Sequence, residues 1–340
     1  MQEVLLTGIT GFLGSHTAIQ LLNLGYKVTG TLRNMERADS IKNVIAEYTD
    51  NVANLNLAQA DLMDEKAWSR LSKGKNFIIH VASPFPRELP TNEAELIDPA
   101  KDGTLHVLKA AKLNHVKRIV IVSSLAAVVY GKSKERINDI FTENNWTDED
   151  NIADTAPYIR SKTIAEKAAW EYVSKEGSGL ELVTVLPGAI LGPVLEEDYG
   201  TSANIIIKML AGNMPALPKI GFDIIDVRSV ADLLTKALVD PNAAGNRYIA
   251  SSGYASMRDI AIILKEKYQD RKISTSQLPN LLARLFSNFE PTLKPILLDL
   301  GIKRKVDIRK AYDNLNWKPY STKEAILSCA KSVLDLKIVK

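Results

Sequence analysis

Three glycines close to the amino terminus constrain the fold of this chain more than any other feature of its sequence. Gly8, Gly11 and Gly14 follow a short apolar run and precede apolar residues at helical spacing. This pattern predicts a strand, a tight turn and a helix that open a βαβ unit. Gly8 is expected to turn the chain, Gly11 to let backbone N–H groups approach a pyrophosphate, and Gly14 to let the helix pack against the strand.

A turn of this kind favours an anion, because unpaired N–H groups and the positive end of the helix dipole meet at a helix N-terminus. The sequence therefore predicts a dinucleotide site at this turn. The residues expected to contact the cofactor here are Thr7, Gly8, Thr10, Gly11, Phe12, Leu13 and Gly14.

Strand-like and helix-like segments alternate through the first two thirds of the chain. After the first strand, further strands are expected over 26–32, 55–60, 77–81, 118–122 and 181–186. Six such alternations predict an α/β fold, a doubly wound Rossmann parallel sheet with right-handed crossovers and helices on both faces. The polar and charged residues 131–157 are expected to form a long surface excursion.

Beyond Gly192 the alternation breaks down, which predicts a smaller, mostly helical C-terminal lobe that covers the cofactor crevice and shapes a substrate pocket. A chain of 340 residues is long enough for such an appended lobe. The predicted division is a cofactor-binding Rossmann domain over 1–192, to which 226–251 return, a substrate-binding lobe over 193–225 and 252–320, and a C-terminal helix over 321–340.

The composition argues against several classes of function. The net charge is only +3, and basic residues are interspersed with acidic ones, so no basic stripe points to nucleic acid. No apolar run approaches the ~18 residues of a membrane span, and the first strand begins too early to leave room for a signal peptide. The single cysteine, Cys329, is expected to be a packed thiol in a reducing compartment. We therefore expect a cytoplasmic protein without a membrane or nucleic-acid partner.

The residue after the second strand bears on the choice between NAD and NADP. An acidic residue there accepts hydrogen bonds from the ribose 2′-OH of NAD, whereas an arginine pairs with the 2′-phosphate of NADP. This chain has Arg33 at that position, with Arg37 or Lys42 as a candidate second cation. The alternative is a solvated arginine on a loop. We predict NADP(H), with Arg33 and Lys42 among its contacts.

Further cofactor contacts are expected where other strands end, because the carboxyl ends of parallel strands share one edge of the sheet. Asp61 and Leu62 follow the third strand, and Asp61 is a candidate both for the adenine pocket and for the cap of the next helix. His80, within the fourth strand, is expected to be a core histidine rather than a catalytic one. The other expected contacts at strand ends are Val81, Ala82, Ser83, Pro187 and Gly188.

A serine at a strand end and a Tyr-x-x-x-Lys pair on the next helix suggest hydride transfer. Ser124 follows the fifth strand, and Tyr158 and Lys162 are four residues apart, so both lie on one helical face. Hydride transfer to a carbonyl carbon builds negative charge on the oxygen, and we predict that Tyr158 gives it a proton. The Lys162 ammonium is expected to lower the phenol pKa from its usual value of about 10 and to bind the nicotinamide ribose. Ser124 is expected to hold the carbonyl oxygen.

Together these motifs resemble those of the extended short-chain dehydrogenases/reductases, and within them the dihydroflavonol-reductase-like group. The motifs that carry the resemblance lie at 7–14, 80–85, 123–124, 143–146, 158–162 and 187–193. The stretches 123–128 and 161–171 are most similar to microbial NADPH-dependent aldehyde and ketone reductases, which include methylglyoxal and keto-ester reductases. The resemblance implies a carbonyl reductase in which Ser124, rather than Ser123, is catalytic.

The resemblance also bears on the substrate. Plant dihydroflavonol reductases carry a polar residue, commonly Asn, five positions after the catalytic serine, and Val129 occupies that position here. We therefore expect a carbonyl compound that is smaller or less polar than a flavonoid. The pocket is expected to include, besides Ser124 and Tyr158, the residues Phe85, Val129, Tyr199 and the region around Ile205 to Met209.

Two alternatives share part of this pattern. The NDP-sugar epimerases and dehydratases have the same fold and Ser-Tyr-Lys site, but they retain a bound NAD and usually have an acidic residue where this chain has Arg33. A regulatory protein that senses NADP without turnover generally loses the Tyr-Lys pair. We therefore favour a carbonyl reductase with a small-molecule substrate, and the sequence leaves both a monomer and a homodimer open.

Overall fold

A seven-stranded parallel sheet lies at the centre of the computed structural model, which describes residues 1–84, 92–197, 199–286 and 297–339. In chain order the strands of the described residues are β1 (Glu3–Thr7), β2 (Lys27–Leu32), β3 (Leu55–Gln59), β4 (Phe77–His80), β5 (Arg118–Val122), β6 (Ile140–Phe141), β7 (Glu181–Pro187), β8 (Ala189–Leu191), β9 (Gly221–Asp226), β10 (Arg247–Ala250), β11 (Tyr254–Ser256) and β12 (Lys305–Val306). The order in the main sheet is β3-β2-β1-β4-β5-β7-β10, with every neighbouring pair parallel. This confirms the predicted doubly wound Rossmann sheet.

Some helices cover both faces of this sheet, and others belong to the C-terminal lobe. Over the described residues they are α1 (Phe12–Asn23), α2 (Ala38–Ala46), α3 (Glu65–Leu71), α4 (Ala94–Leu113), α5 (Ala126–Val129), α6 (Pro157–Lys175), α7 (Ala203–Leu210), α8 (Val227–Val239), α9 (Met257–Lys267), α10 (Asn280–Phe286), α11 (Arg309–Leu315) and α12 (Thr322–Asp335). Within the described ranges, no helix is both long and apolar enough to cross a membrane.

The central strand β1 shows how the two layers arise from the sequence. Successive side chains of a strand point to opposite faces of the sheet. Val4 and Leu6 therefore pack in the layer that contains α1 and α8, whereas Leu5 packs in the layer that contains α4 and α6. All three residues are fully buried, as a strand covered by helices on both faces requires.

The C-terminal lobe contains a small sheet that the sequence did not predict. Its strands have the order β11-β9-β8, and helices α7, α9 and α12 pack with it around a separate apolar core. Cys329 is buried in this core, as predicted. Strand β8 pairs with β9, whereas β10 joins the main sheet beside β7. The domain boundaries given above stay predictions.

Residues 131–157 form the predicted surface excursion only in part, since 133–136 and 138–140 are exposed but other residues of the segment are buried. Glu143 and Asp154 are buried, and β6 within this segment pairs with β12. Two arginines from distant parts of the chain reach into it: Arg247 donates to the Glu143 carbonyl oxygen, and Arg304 pairs with the Asp154 carboxylate. The prediction was wrong for the buried residues alone, because the arginines satisfy polar groups there that the sequence by itself assigned to water.

Candidate active site

The parallel strands bring the predicted site residues to one edge of the sheet. Along that edge, Asp61 and Leu62 follow β3, Arg33 follows β2, the glycine turn follows β1, Val81 to Ser83 follow β4, Ser124 lies just after β5, and Pro187 ends β7. Neighbouring strands are about 4.8 Å apart, so the ends of β2 and β5 are separated by about 14 Å. A row of this length suits an extended dinucleotide that crosses the strand ends.

The glycine turn forms a cradle in which a diphosphate fits. Gly8 has φ of +73°, in the left-handed region, and a Cβ at Gly14 would lie 2.0 Å from the Gly8 carbonyl oxygen. A Cβ at Gly11 would meet nothing nearer than 3.4 Å in the protein, and Gly11 is exposed. Gly11 is also the N-cap of α1, and no side chain caps the helix there. The first N–H groups of α1 are therefore available to an anion.

Thr7 and His80 belong to the framework below this cradle. The Thr7 hydroxyl accepts hydrogen bonds from the backbone N–H groups of Val81 (3.1 Å) and Ala82 (3.0 Å), and it lies 2.9 Å from His80 Nδ1. Thr7 is fully buried, so we propose that it fixes the turn after β4 rather than touching the cofactor. Burial lowers the pKa of His80 to about 3, which keeps it neutral. It is a core histidine, as predicted.

Arg33 is exposed just after β2 and Lys42 is exposed on α2, whereas Arg37 is already engaged in an ion pair. The Arg37 Nη2 atom lies 2.7 Å from both carboxylate oxygens of Glu196. Glu196 was missed by the sequence reasoning, because 159 residues separate it from Arg37 and no local pattern links the two. The ion pair places a carboxylate beside one of the candidate phosphate-binding cations.

The structure corrects one interpretation of Asp61. Helix α3 is capped by Asp64, whose Oδ1 accepts from the Ala67 N–H at 3.0 Å. Asp61 instead stabilises the turn before the helix, where its Oδ1 accepts from the Met63 N–H at 2.9 Å. Leu62 packs against Gly103 of α4, where a Cβ would approach it to 3.0 Å.

Ser124 and Tyr158 are joined by a hydrogen bond just beyond β5. The side chains of Ser124 and Tyr158 are hydrogen-bonded to each other, and the Ser124 hydroxyl oxygen accepts from the Ala126 N–H at 3.1 Å, which fixes its orientation. Pro157 occupies the first position of α6, where its fixed φ suits a helix start, so Tyr158 lies in the first helical turn. Lys162 follows one turn later on the same face.

The pKa of Tyr158 corrects a second prediction. Burial raises it above the usual value of about 10, and the contribution that opposes burial is the hydrogen bond from Ser124, not the charge of Lys162. The prediction of a lowered pKa was therefore wrong, because desolvation of the phenolate outweighs the favourable interactions. Burial also lowers the pKa of Lys162 to about 8, and the Glu166 carboxylate opposes that effect.

Comparison with known proteins decides the family. The chain matches the family model described as the NAD dependent epimerase/dehydratase family over residues 4–250, which is more than half of its length. The chain belongs to this family. Its membership confirms the predicted resemblance to the extended short-chain dehydrogenases/reductases.

Several members of the family are similar to this chain. A putative uncharacterized oxidoreductase of Schizosaccharomyces pombe is 34% identical over 285 residues, which cover 79% of this chain and 83% of that protein. A cinnamoyl-CoA reductase of Medicago truncatula is 34% identical over 268 residues, which cover 78% and 80%. The structure of yeast methylglyoxal/isovaleraldehyde reductase complexed with NADPH aligns over 99% of each chain with a TM-score of 0.81 and 25% identity. The chain described here is likewise an oxidoreductase.

The predicted pocket residues are distributed over two apolar clusters. Val129 is 6% exposed and packs with Phe141 beyond the end of β5, while its carbonyl oxygen accepts from Arg304 Nη1 at 2.9 Å. Tyr199 packs against the core of the C-terminal lobe, as does the region 205–209. Phe85 lies outside the described residues. The substrate pocket therefore stays a prediction.

A carboxyl group that the sequence reasoning missed lies beside Gly188. A Cβ at Gly188 would lie 2.1 Å from the carbonyl oxygen of Asp223, so only glycine lets β9 approach so closely. The Asp223 carboxylate accepts from the Ser251 hydroxyl at 2.8 Å, and burial raises its pKa to about 6. No motif marks Asp223 in the sequence, because its place depends on how the lobe folds back.

Proposed function

We propose that this protein is an NADPH-dependent carbonyl reductase that converts an aldehyde or ketone to the alcohol. The observation that carries this proposal is the hydrogen bond between Ser124 and Tyr158 at the end of β5, with Lys162 one helical turn away. Tyr158 supplies a phenolic proton, Ser124 an oriented hydroxyl and Lys162 a cation. All three lie at the sheet edge formed by the carboxyl ends of the strands. The reductase names of two similar proteins support the same reaction class.

The residues at the carboxyl ends of the parallel strands suit NADPH, which supplies the hydride when bound. The N–H groups at the start of α1 would hold the diphosphate, and Arg33 would pair with the 2′-phosphate. Lys162 would donate from its ammonium to the ribose hydroxyls. The NADPH in the similar yeast reductase supports this choice of cofactor.

The raised pKa of Tyr158 suits reduction rather than oxidation. A phenol whose pKa lies above about 10 stays protonated throughout the neutral range, so it is always ready to give a proton. The oxygen of a carbonyl that receives hydride becomes an alkoxide, a stronger base than phenolate, so the proton moves toward it. Ser124 donates to that same oxygen where the charge develops.

The neighbourhood of Val129 supports a small or weakly polar substrate. Its side chain belongs to an apolar cluster and offers no hydrogen bond to the hydroxyls of a flavonoid. The yeast relative is named for methylglyoxal and isovaleraldehyde, both small aldehydes. We propose that this chain reduces carbonyl compounds of that size class.

The first test follows NADPH absorbance with the purified protein against a panel of carbonyl compounds. The panel contains small dicarbonyls, keto esters, aliphatic and aromatic aldehydes, a cinnamoyl-CoA thioester and one dihydroflavonol, each repeated with NADH. We expect turnover of small carbonyls with NADPH. If no compound of the panel is turned over and the purified protein already contains bound NAD, the proposal is contradicted and a sugar-nucleotide epimerase is favoured.

Replacing Arg33 with Asp should shift the cofactor preference from NADPH toward NADH. The change removes a charge-assisted contact worth about 1.5 to 3 kcal/mol and adds repulsion. The Kd for NADPH should therefore rise by at least ~10- to 150-fold, with the Kd for NADH little changed. Binding is measured by NADPH fluorescence. Lys117→Asp is the control, because Lys117 is exposed at the start of β5, on the opposite edge of the sheet. Equal effects of the two variants would refute the assignment of Arg33.

Replacing Glu196 with Gln should tighten NADPH binding. The Arg37–Glu196 ion pair is partly exposed, with 35% and 20% of the two side chains accessible, so the substitution removes one negative charge beside Arg37, and hence beside the 2′-phosphate, at little cost. We expect the NADPH Kd to fall by up to about fivefold, with no change for NADH, which lacks that phosphate. The neighbouring, exposed Glu197 provides the matched control Glu197→Gln. If binding of both cofactors weakens equally in Glu196→Gln, the ion pair orders the loop instead.

A further inference from the structure

A small cavity lined by both polar and apolar side chains lies behind Lys162. Its volume is about 20 Å³, and its polar lining consists of His80, Ser83, Thr104, Ser123, Lys162 and Glu166. A polar space of this size admits a single water molecule, which needs roughly 10–15 Å³. The cavity therefore brings the Lys162 ammonium and the Glu166 carboxylate to one shared polar space.

Glu166 is built into this cavity as a fixed carboxylate. It is only 2% exposed. Its Oε2 accepts from the Ser123 hydroxyl at 2.6 Å and from Arg247 Nη2 at 3.2 Å. Its Oε1 accepts from Thr184 at 2.7 Å, from Arg247 Nε at 2.8 Å and from Trp170 Nε1 at 3.3 Å. These five hydrogen bonds, two of them from the buried Arg247 guanidinium, hold the carboxylate in place.

We propose that Glu166 is a positioning residue that holds Lys162 in its ammonium form, so that Lys162 keeps all its donors for the ribose of the cofactor. The proposal rests on the function proposed above. A buried lysine loses its charge readily because burial penalises an ammonium. Glu166 lies four residues after Lys162 on α6, and its negative charge is the interaction that opposes this penalty.

The other titratable groups around Lys162 do not replace Glu166. His80 faces Lys162 from β4 and stays neutral, since burial and the Lys162 charge lower its pKa to about 3. Tyr158, on the same helix, is a neutral phenol in the working range of pH. Arg247 reaches Glu166 from β10 and stacks 3.6 Å from the centre of the Trp146 ring. Its guanidinium therefore holds the Glu166 carboxylate in place.

The test is the pH dependence of NADPH binding in Glu166→Gln. The variant should bind NADPH like the wild type at pH 6.5, where Lys162 is charged in both proteins. Without the carboxylate, Lys162 loses its proton at a lower pH, so binding should weaken earlier as the pH rises. At pH 9 we expect the variant to bind NADPH about tenfold more weakly than the wild type does. A nearby opposite charge shifts the pKa of a group by at least about one unit, so loss of the carboxylate should lower the pKa of Lys162 by that amount.

Two variants separate this charge effect from a structural one. Glu171→Gln makes the same chemical change on the exposed side of α6 and should leave the pH dependence of binding unchanged. Thr184→Val removes one hydrogen bond to Glu166 but keeps its charge, so it should lower the melting temperature without moving the pH dependence. If Glu166→Gln does not fold, Glu166→Gln combined with Arg247→Gln removes the whole buried ion pair, and the double variant should shift binding in the same direction.

A second measurement keeps the proposal separate from the proposed function. The rate at which acetic anhydride modifies Lys162, followed by mass spectrometry across pH, reports the titration of this lysine without any cofactor. Lys162 should titrate at a lower pH in Glu166→Gln than in the wild type. If NADPH does not bind but this shift appears, the cofactor assignment fails and the control of Lys162 by Glu166 stands. If folded Glu166→Gln shows the wild-type titration, the proposal is overturned.

Discussion

Replacing Tyr158 with Phe should lower turnover with NADPH at least ~100-fold, the low end for loss of a general acid. The affinity for NADPH should stay nearly unchanged, because the ring is retained and only the proton donor is lost. The hydroxyl that disappears is the one that receives the Ser124 hydrogen bond. Steady-state kinetics and NADPH fluorescence titration separate the two effects, since a loss confined to kcat and kcat/KM marks an interaction made in the transition state.

The chain offers a matched control on the same helix. Tyr172 lies on α6 and packs at the edge of an apolar cluster on one face of the main sheet. Tyr172→Phe removes a phenolic hydroxyl from the same helix. Because Tyr172 lies away from the candidate site and such surface changes perturb the fold little, turnover should stay within about twofold of the wild type. Near-normal turnover in Tyr158→Phe would remove the phenol from the mechanism and favour a protein that binds NADP without reduction.

Replacing Ser124 with Ala should lower kcat by about 100- to 1000-fold, the range seen when one donor to a developing oxyanion is removed. The Ser124 hydroxyl is hydrogen-bonded to the Tyr158 phenol, and its oxygen is oriented by the Ala126 N–H. A carbonyl oxygen beside Tyr158 would therefore meet two donors, and the variant leaves one. The measurement is kcat with NADPH at saturating concentration of the best substrate in the panel.

The preceding serine provides a comparison within the same turn. Ser123 is buried and donates to Glu166 at 2.6 Å, so its hydroxyl serves the framework. Ser123→Ala leaves a buried carboxylate oxygen short of a donor and should lower the free energy of unfolding by about 1 to 3 kcal/mol. Thermal or urea unfolding measures that change, and kcat should fall far less than in Ser124→Ala. If kcat falls more in Ser123→Ala than in Ser124→Ala, Ser123 rather than Ser124 is the catalytic serine.

The elements of the main sheet could be predicted because their signals are local. A parallel strand covered on both faces is a continuous apolar run, and the predicted strand over 118–122 coincides with β5. The strand predicted over 181–186 differs from β7 by a single residue. The requirement for glycine at Gly8 is equally local, since it arises from the φ of one residue. Because the strands are parallel, their carboxyl ends lie at one edge of the sheet, and the predicted site residues follow those ends.

The small sheet of the lobe could not be predicted in the same way. Strands β8 and β11 have three residues each, which is too short for an alternation of apolar and polar residues to be recognised. Each strand is completed by a partner far away in the chain, since β11 pairs with β9 and β9 with β8. The sequence therefore indicated helices there and left the strands unassigned.

The sequence by itself determined the Rossmann sheet, the glycine cradle and the order of Ser124, Tyr158 and Lys162 along the chain. Only the tertiary structure decided which charges are buried and what they contact. Arg37 meets Glu196 across 159 residues, and Arg247 meets Glu166 across 81. The physical reason is that helix and strand periods are local, whereas the cost of burying a charge depends on partners that folding brings together. The same reason accounts for the raised pKa of Tyr158, which depends on burial rather than on its neighbour four residues away.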